Sequence, residues 1–317
     1  MNNPFPYAIA NKRYRTIDYT LKQKYHTKVA KVSLNGGFSC PNRDGTISTG
    51  GCIFCSNGSG DDNIKASIPL MKQFAIVKEM LVNKWGNPKY IAYFQSYTNT
   101  YSPINRLKEI YEPFVNFDDV VEIAIATRPD CLDEDVLEYL ESISKRKTLT
   151  IELGFQTSNE ITARFINRGY SNDVFIKAVK ELRKRNIDVV VHIINGLPYE
   201  TKEDNINTIK FLNELDIQGI KFHSLFIEKD TTLAKIYEEN PFELISMDAY
   251  IDIVITQLEL ISPHISIGRV TGDPYKNKLI APSWVLKKIN VMNGIDKEMV
   301  KRNTYQGRLY KWDKEKV

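Results

Sequence analysis

The chain has 317 residues, 42% of them hydrophobic, with a formal net charge of +4 at pH 7. That supports one large core, or a barrel-sized domain with a small appendage, and is short for two large domains. No apolar run approaches the roughly 18 residues of a membrane span, the polar start MNNPFPYAIANKRYR is no secretory signal, and four cysteines make no disulfide framework, so the expected compartment is the reducing cytoplasm.

An N-terminal extension, 1–27, precedes the first strand-like run, KVAKVSL at 28–34. Further β-branched or apolar runs follow at 90–97 (YIAYFQSY), 120–128 (VVEIAIATR), 149–156 (LTIELGFQ), 188–196 (DVVVHIING) and 217–227 (IQGIKFHSLFI). Stretches of helical period separate them, such as DEDVLEYLESISKR at 133–146 and SNDVFIKAVKELRKRN at 171–186. Six strand-helix units predict an α/β fold, a parallel sheet curled into a partial (β/α)6 TIM-like barrel over 28–235, with 236–317 as a small C-terminal module.

The loop after the first run carries GGFSCPNRDGTISTGGCIFCSNGSG, with Cys40, Cys52 and Cys55 in a C-x11-C-x2-C array. A structural zinc or an electron-transfer cluster ordinarily takes four protein ligands, so three thiolates leave a metal position open to a small molecule. The alternative is a zinc knuckle completed by a His or Asp; His26 is the nearest histidine. Gly36, Gly37, Gly45, Gly50, Gly51, Gly58 and Gly60 allow backbone to approach a bulky inorganic core, and Phe54 can shield it. Active sites of such barrels lie where strands end and loops begin, which is where this loop falls.

Residues two apart on a strand share a face. On the fourth run Thr150, Glu152, Gly154 and Gln156 form one set, while Ile151, Leu153 and Phe155 face the helices. His192, Ile194 and Gly196 form a set on the fifth, and Lys221, His223 and Leu225 on the sixth. Each polar residue alone reads as a satisfied barrel-mouth group; their convergence on one face points to a site.

The motifs GGFSCPNRDG, GGCIFC, YFQSYTNTY (93–101), TRPDC (127–131), ELGFQT (152–157), NRGYS (167–171), GLPYET (196–201) and APSW (281–284) resemble the radical SAM enzymes, in particular the YhcC/YtqA type related to the catalytic subunit of elongator. The resemblance covers nearly the whole chain. It implies a 4Fe-4S cluster on Cys40, Cys52 and Cys55, with S-adenosylmethionine on the fourth iron, and an adenosyl radical that abstracts hydrogen from an unactivated carbon. It places Phe54 near the adenine, Gln95 and Ser96 near the methionine amino group, Gln156 near the ribose and Arg168 against the carboxylate. Relatives carry acidic residues at positions matching Ala126 and His192, for which Glu152 can substitute. Arg128 of TRPDC, Lys221, His192 and His223 are catalytic or substrate-binding candidates.

The resemblance further implies transfer RNA as substrate, at the anticodon stem-loop, and conversion of 5-carboxymethylaminomethyluridine to 5-aminomethyluridine, with or without 2-thiolation. The methylene between amine and carboxylate gives a stabilised radical; a second one-electron oxidation gives an imine, whose hydrolysis releases the amine. An electron donor such as flavodoxin or ferredoxin is implied as well. From Gly268 onward Arg269, Lys276, Lys278, Lys287 and further basic residues are interleaved with Tyr275, Trp284, Tyr305, Tyr310 and Trp312, a composition suited either to RNA or to a solvated face over core aromatics. Beyond the three loop cysteines only Cys131 remains, so a second 4Fe-4S cluster is not expected, and no G-x-x-x-x-G-K-[ST] loop appears. The other readings are a radical SAM enzyme on a small-molecule or protein substrate, or a non-catalytic iron-sulfur module that binds or senses.

Overall fold

The computed structural model describes residues 12–56 and 65–311. Nine strands and ten α-helices lie among them. The strands are β1 (Val29–Leu34), β2 (Lys89–Phe94), β3 (Val120–Thr127), β4 (Thr148–Gln156), β5 (Asp188–Asn195), β6 (Gly219–Ser224), β7 (Ile227–Glu228), β8 (Ser266–Arg269) and β9 (Leu279–Ala281). The helices are α1 (Ile17–Tyr25), α2 (Leu70–Trp85), α3 (Ile104–Val115), α4 (Glu134–Ser144), α5 (Glu160–Phe165), α6 (Asn172–Lys184), α7 (Lys202–Asn213), α8 (Thr232–Glu239), α9 (Met247–Leu260) and α10 (Lys288–Lys301).

Seven strands form one parallel sheet in the order β1-β2-β3-β4-β5-β6-β8, a curled half-barrel, and β7 and β9 pair separately. All six expected strands are present. The seventh, β8, was hidden because SIGR offers only one β-branched apolar residue and a glycine; its strand character comes from pairing with β6. The boundary at 235/236 falls inside α8, and the strand beyond it belongs to the barrel sheet.

Alternation sorts the side chains as expected. Ile151, Leu153 and Phe155 on β4 are fully buried against helices, where the Phe155 ring stacks on Phe175 of α6 at 4.1 Å and on Phe211 of α7 at 5.2 Å. Helix starts are fixed by side chains that accept first-turn amides, including Asp133 before α4, Asn159 before α5 and Ser171 before α6; Thr201 and Asp204 form a reciprocal capping box on α7. Tyr250, Val254 and Leu258 of α9 and Val291 and Ile295 of α10 join the same core as the barrel strands.

The two edges of the sheet, β1 and β8, are spanned by the N-terminal segment. Helix α1 packs on both. Its cap Thr16 bridges to Ile267, whose amide donates to the Arg15 carbonyl at 2.7 Å, and Thr20 Oγ1 lies 2.7 Å from Ser266 Oγ.

Candidate active site

A cavity of about 610 Å³ runs inside the half-barrel, from Ile17, Asp18 and Leu21 of α1 at one end to Cys40, Cys52 and Cys55 at the carboxyl ends of the strands. Phe54, Gln95, Arg128, Glu152, Gln156, His192, Lys221 and His223 also line it, so eleven of the thirteen residues expected from sequence meet here. Ser96 and Arg168 are not among the lining. Ser96 is buried, and Arg168 is fully buried in the chain's own hydrogen bonds.

The cysteine loop is stitched to the segment after α5. Cys40 O accepts the amides of Arg43 and Asp44, Asn42 O accepts Gly51 N at 2.7 Å, and Cys52 O accepts Cys55 N at 2.9 Å. Asn42 Nδ2 donates to Asn167 O at 2.6 Å and reaches Cys52 Sγ at 3.6 Å; Asn167 Nδ2 returns to Gly51 O at 2.9 Å and Ser48 Oγ at 3.1 Å. The Arg43 guanidinium ties Cys55 O and Ser56 O from beneath. A side chain at Gly51, φ +81°, would meet Arg43 Nε at 2.8 Å, so the glycine is what lets this cross-tie pass. Gly58 and Gly60 lie outside the described residues.

The residues of NRG therefore hold the loop. Arg168 donates to the carbonyls of Phe155, Thr157 and Tyr170 and to Asn172 Oδ1, with Glu160 at 3.5 Å, which uses its whole fork. The guanidinium expected against a cofactor carboxylate is here turned to the chain's own acceptors. Arg128 faces the cavity but is clamped by Asp130 at 2.7 and 2.9 Å and donates to Arg168 O, its guanidinium lying 5.0 Å from the Tyr170 ring. Gln156 takes a left-handed φ of +66° where β4 slips register against β5, and Tyr170 Oη donates to Gly154 O and Gln156 Oε1.

Deeper in the barrel, Glu152 is a hub. It is 1% exposed and accepts from Tyr93 Oη at 2.7 Å, from Lys31 Nζ at 3.2 Å, from Lys221 Nζ and from His192 Nε2 at 2.8 Å. Burial opposes ionisation, yet Lys221, Lys31 and His192 outweigh it and hold the Glu152 carboxyl well below the usual range. Burial and the neighbouring cations lower His192 to about 4, so its imidazole is neutral at pH 7 and donates the Nε2 proton. Burial likewise pulls the Lys221 ammonium down, with Glu152 acting against it. The His223 ring stacks on His192 with centroids 5.2 Å apart; its Nε2 is buried without a hydrogen-bond partner.

The three thiols fit an iron-sulfur cluster. They share one cavity wall, and among the described residues no three His, Cys, Asp or Glu side chains converge on a point that a single ion could fill. A multi-iron cluster takes one thiolate per iron and needs no such convergence. Burial pushes the Cys52 thiol up to about 12, so its thiolate form calls for a cation beside it.

Lys31, Arg43, Tyr93, Tyr170 and Arg269 also line the cavity and were not singled out from sequence as site residues. The alternation used on β4 to β6 would have found Lys31 and Tyr93 had it been applied to β1 and β2. Arg269 sits on the strand that was not recognised. Trp284, set among the RNA-stacking rings, instead packs on Tyr250 at 5.2 Å and donates its indole N–H to Ile245 O.

A parallel half-barrel with thiols and a guanidinium at the carboxyl ends of its strands and a buried carboxylate deeper inside has the layout of an α/β-barrel active site. A family model for the radical SAM superfamily matches residues 43–212, and one for the radical SAM C-terminal domain matches residues 217–301. The chain belongs to the radical SAM superfamily. It is thus a radical SAM enzyme whose cofactors are a 4Fe-4S cluster and S-adenosylmethionine and which needs an electron donor. Uncharacterized protein YtqA of Bacillus subtilis is 46% identical over 98% of this chain and 96% of its own. Protein YhcC of Escherichia coli is 35% identical over 83% and 85%. Elongator complex protein 3 of Saccharomyces cerevisiae is 28% identical over 48% of this chain and 28% of its own. The structure of archaeal Methanocaldococcus infernus Elp3, with an N-terminal deletion, shares the fold at a TM-score of 0.66 and 16% identity, over 88% of this chain and 64% of that one. Among the described residues no helix is long and apolar enough to cross a membrane.

Proposed function

We propose that this radical SAM enzyme acts on the wobble uridine of transfer RNA, removing the carboxymethyl group of 5-carboxymethylaminomethyl(2-thio)uridine to leave 5-aminomethyl(2-thio)uridine. The observation that carries this reading is a second cavity of about 590 Å³ that shares Phe54, Cys55, Gln95, Gln156, His192, His223 and Arg269 with the first. A chamber of that size holds a nucleoside beside the cysteine wall. The similarity to elongator complex protein 3 supports a shared substrate class.

In this reading Cys40, Cys52 and Cys55 hold the cluster, and Phe54, Gln95 and Gln156 receive S-adenosylmethionine next to it. When bound, the two cofactors supply one-electron cleavage of a sulfonium and a hydrogen-abstracting adenosyl radical. The protein's part is placement and exclusion of water. Glu152 fixes the orientation of Lys221, Tyr93 and His192, and the Arg128–Asp130 clamp braces the turn at Arg168 that carries the loop. Reduced flavodoxin or ferredoxin is the proposed electron donor, and the anticodon stem-loop the proposed RNA partner.

The test is mass spectrometry of wobble nucleosides after incubating the anaerobically reconstituted, reduced protein with S-adenosylmethionine and carboxymethylaminomethyl-bearing transfer RNA. Aminomethyluridine is expected from the wild type and not from Cys52→Ala. Formation of 5'-deoxyadenosine with the nucleoside unchanged would sink the RNA reading and redirect the search to small-molecule or peptide substrates.

A further inference from the structure

The lining shared by the two cavities includes His223 of β6 and Arg269 of β8. Most charged groups near it are already matched. Lys221 and His192, two of the substrate-binding candidates, are bonded to Glu152. In the outer cavity, Glu228 Oε1 accepts the Tyr275 amide at 2.9 Å, and Asp273 is bound by Lys288 at 2.7 Å.

Arg269 differs from these. Its register partner is Lys221, so two cations stand side by side on neighbouring strands. Among the described residues its guanidinium has one carboxylate within 4 Å, that of Asp273 at 3.8 Å, beyond hydrogen-bond length. Its side chain is 36% exposed toward the cavities. His223 lines both cavities together with Arg269; its buried Nε2 has no hydrogen-bond partner, and the Arg269 charge acts on that ring. A guanidinium fork in a cavity wall matches a planar anion, which can accept two parallel N–H bonds from it.

We infer that Arg269 is the specificity residue for an anionic group on the substrate, a carboxylate paired with its guanidinium where the two cavities share their lining. The inference rests on the reading that the outer cavity holds substrate while the cysteine end holds the cofactors. S-adenosylmethionine also carries a carboxylate, so cofactor and substrate must be separated in the test.

The experiment measures equilibrium binding to the reconstituted wild type, Arg269→Gln and Arg269→Lys, with three sets of probes. The first pair is the nucleoside 5-carboxymethylaminomethyluridine and its methyl ester. The second is N-acetylglycine and its methyl ester, which keep the nitrogen-bound carboxymethyl group and discard the nucleoside. S-adenosylmethionine is the third probe. The wild type is expected to prefer acid over ester by about tenfold or more in at least one pair, the worth of a charged hydrogen bond. Arg269→Gln should abolish the preference, Arg269→Lys should restore it in part, and S-adenosylmethionine affinity should stay unchanged in both. A preference for the acid only in the N-acetylglycine pair would leave the inference standing and count against uridine. Retention of the preference in Arg269→Gln, absence of any preference in the wild type, or loss of S-adenosylmethionine binding in the variants would each overturn it.

Discussion

Glu152 concentrates the electrostatics of the barrel in one side chain. Four donors meet its two oxygens, and both lysines among them lie in a cavity where unpaired charge is costly. Glu152→Gln keeps the volume and removes the charge, and is expected to destabilise the fold by about 3–5 kcal/mol, read from denaturant midpoints. The sign of its pH dependence is fixed. The folded carboxyl ionises well below the ordinary 4.5, so its stabilisation is full above that pH and is lost as pH falls toward the folded value. The gap between wild type and variant should accordingly close on acidification, and a gap constant down to pH 3 would refute the hub. Strand pleat made Glu152, His192 and Lys221 legible in the sequence, because polar residues at every second position of a buried strand have nowhere to point but inward. Their mutual bonding was not legible, since register between strands depends on packing across the whole sheet.

At the scale of elements, the cysteine loop and the turn after α5 behave as one unit. Asn167 sits at φ +53° and sends its amide to Gly51 O and Ser48 Oγ, closing the eleven-residue span between Cys40 and Cys52. Asn167→Gly preserves that backbone conformation and deletes both bonds. The expected outcome is unchanged far-ultraviolet circular dichroism with markedly lower iron retention after anaerobic gel filtration; full iron occupancy would show the stitches to be dispensable. NRG drew attention as a motif, but a motif marks that a residue type is needed without saying whether the chain or a ligand needs it. Arg168 makes the point: its guanidinium is consumed by four oxygen acceptors of its own chain.

Across the whole molecule, the segment after α8 is part of the barrel's structure. β8 completes the sheet, and α9 and α10 place Tyr250, Val254, Leu258, Val291 and Ile295 in the central core, all fully buried. A fragment ending at residue 235 would expose that core and cut α8 in half. We expect it to lack a cooperative thermal transition and to bind a hydrophobic dye, and a sharp melt from the fragment would establish an independent 28–235 domain. Composition could suggest the basic, aromatic character of this segment but could not say which rings are structural, and Trp284 is a half-buried ring packed on Tyr250 at the edge of the core.

The first and last strands of the sheet are not joined by a ladder; α1 bridges them, touching β1 on one side and β8 on the other through Thr16, Thr20 and Arg15. A curled sheet with free margins has no intrinsic diameter, since each strand can pivot on its neighbour. A single helix wedged between the margins sets one. The calibre of the reaction chamber, and with it the separation between Lys31 on one margin and Arg269 on the other, is thus fixed by one helix of nine residues outside the sheet.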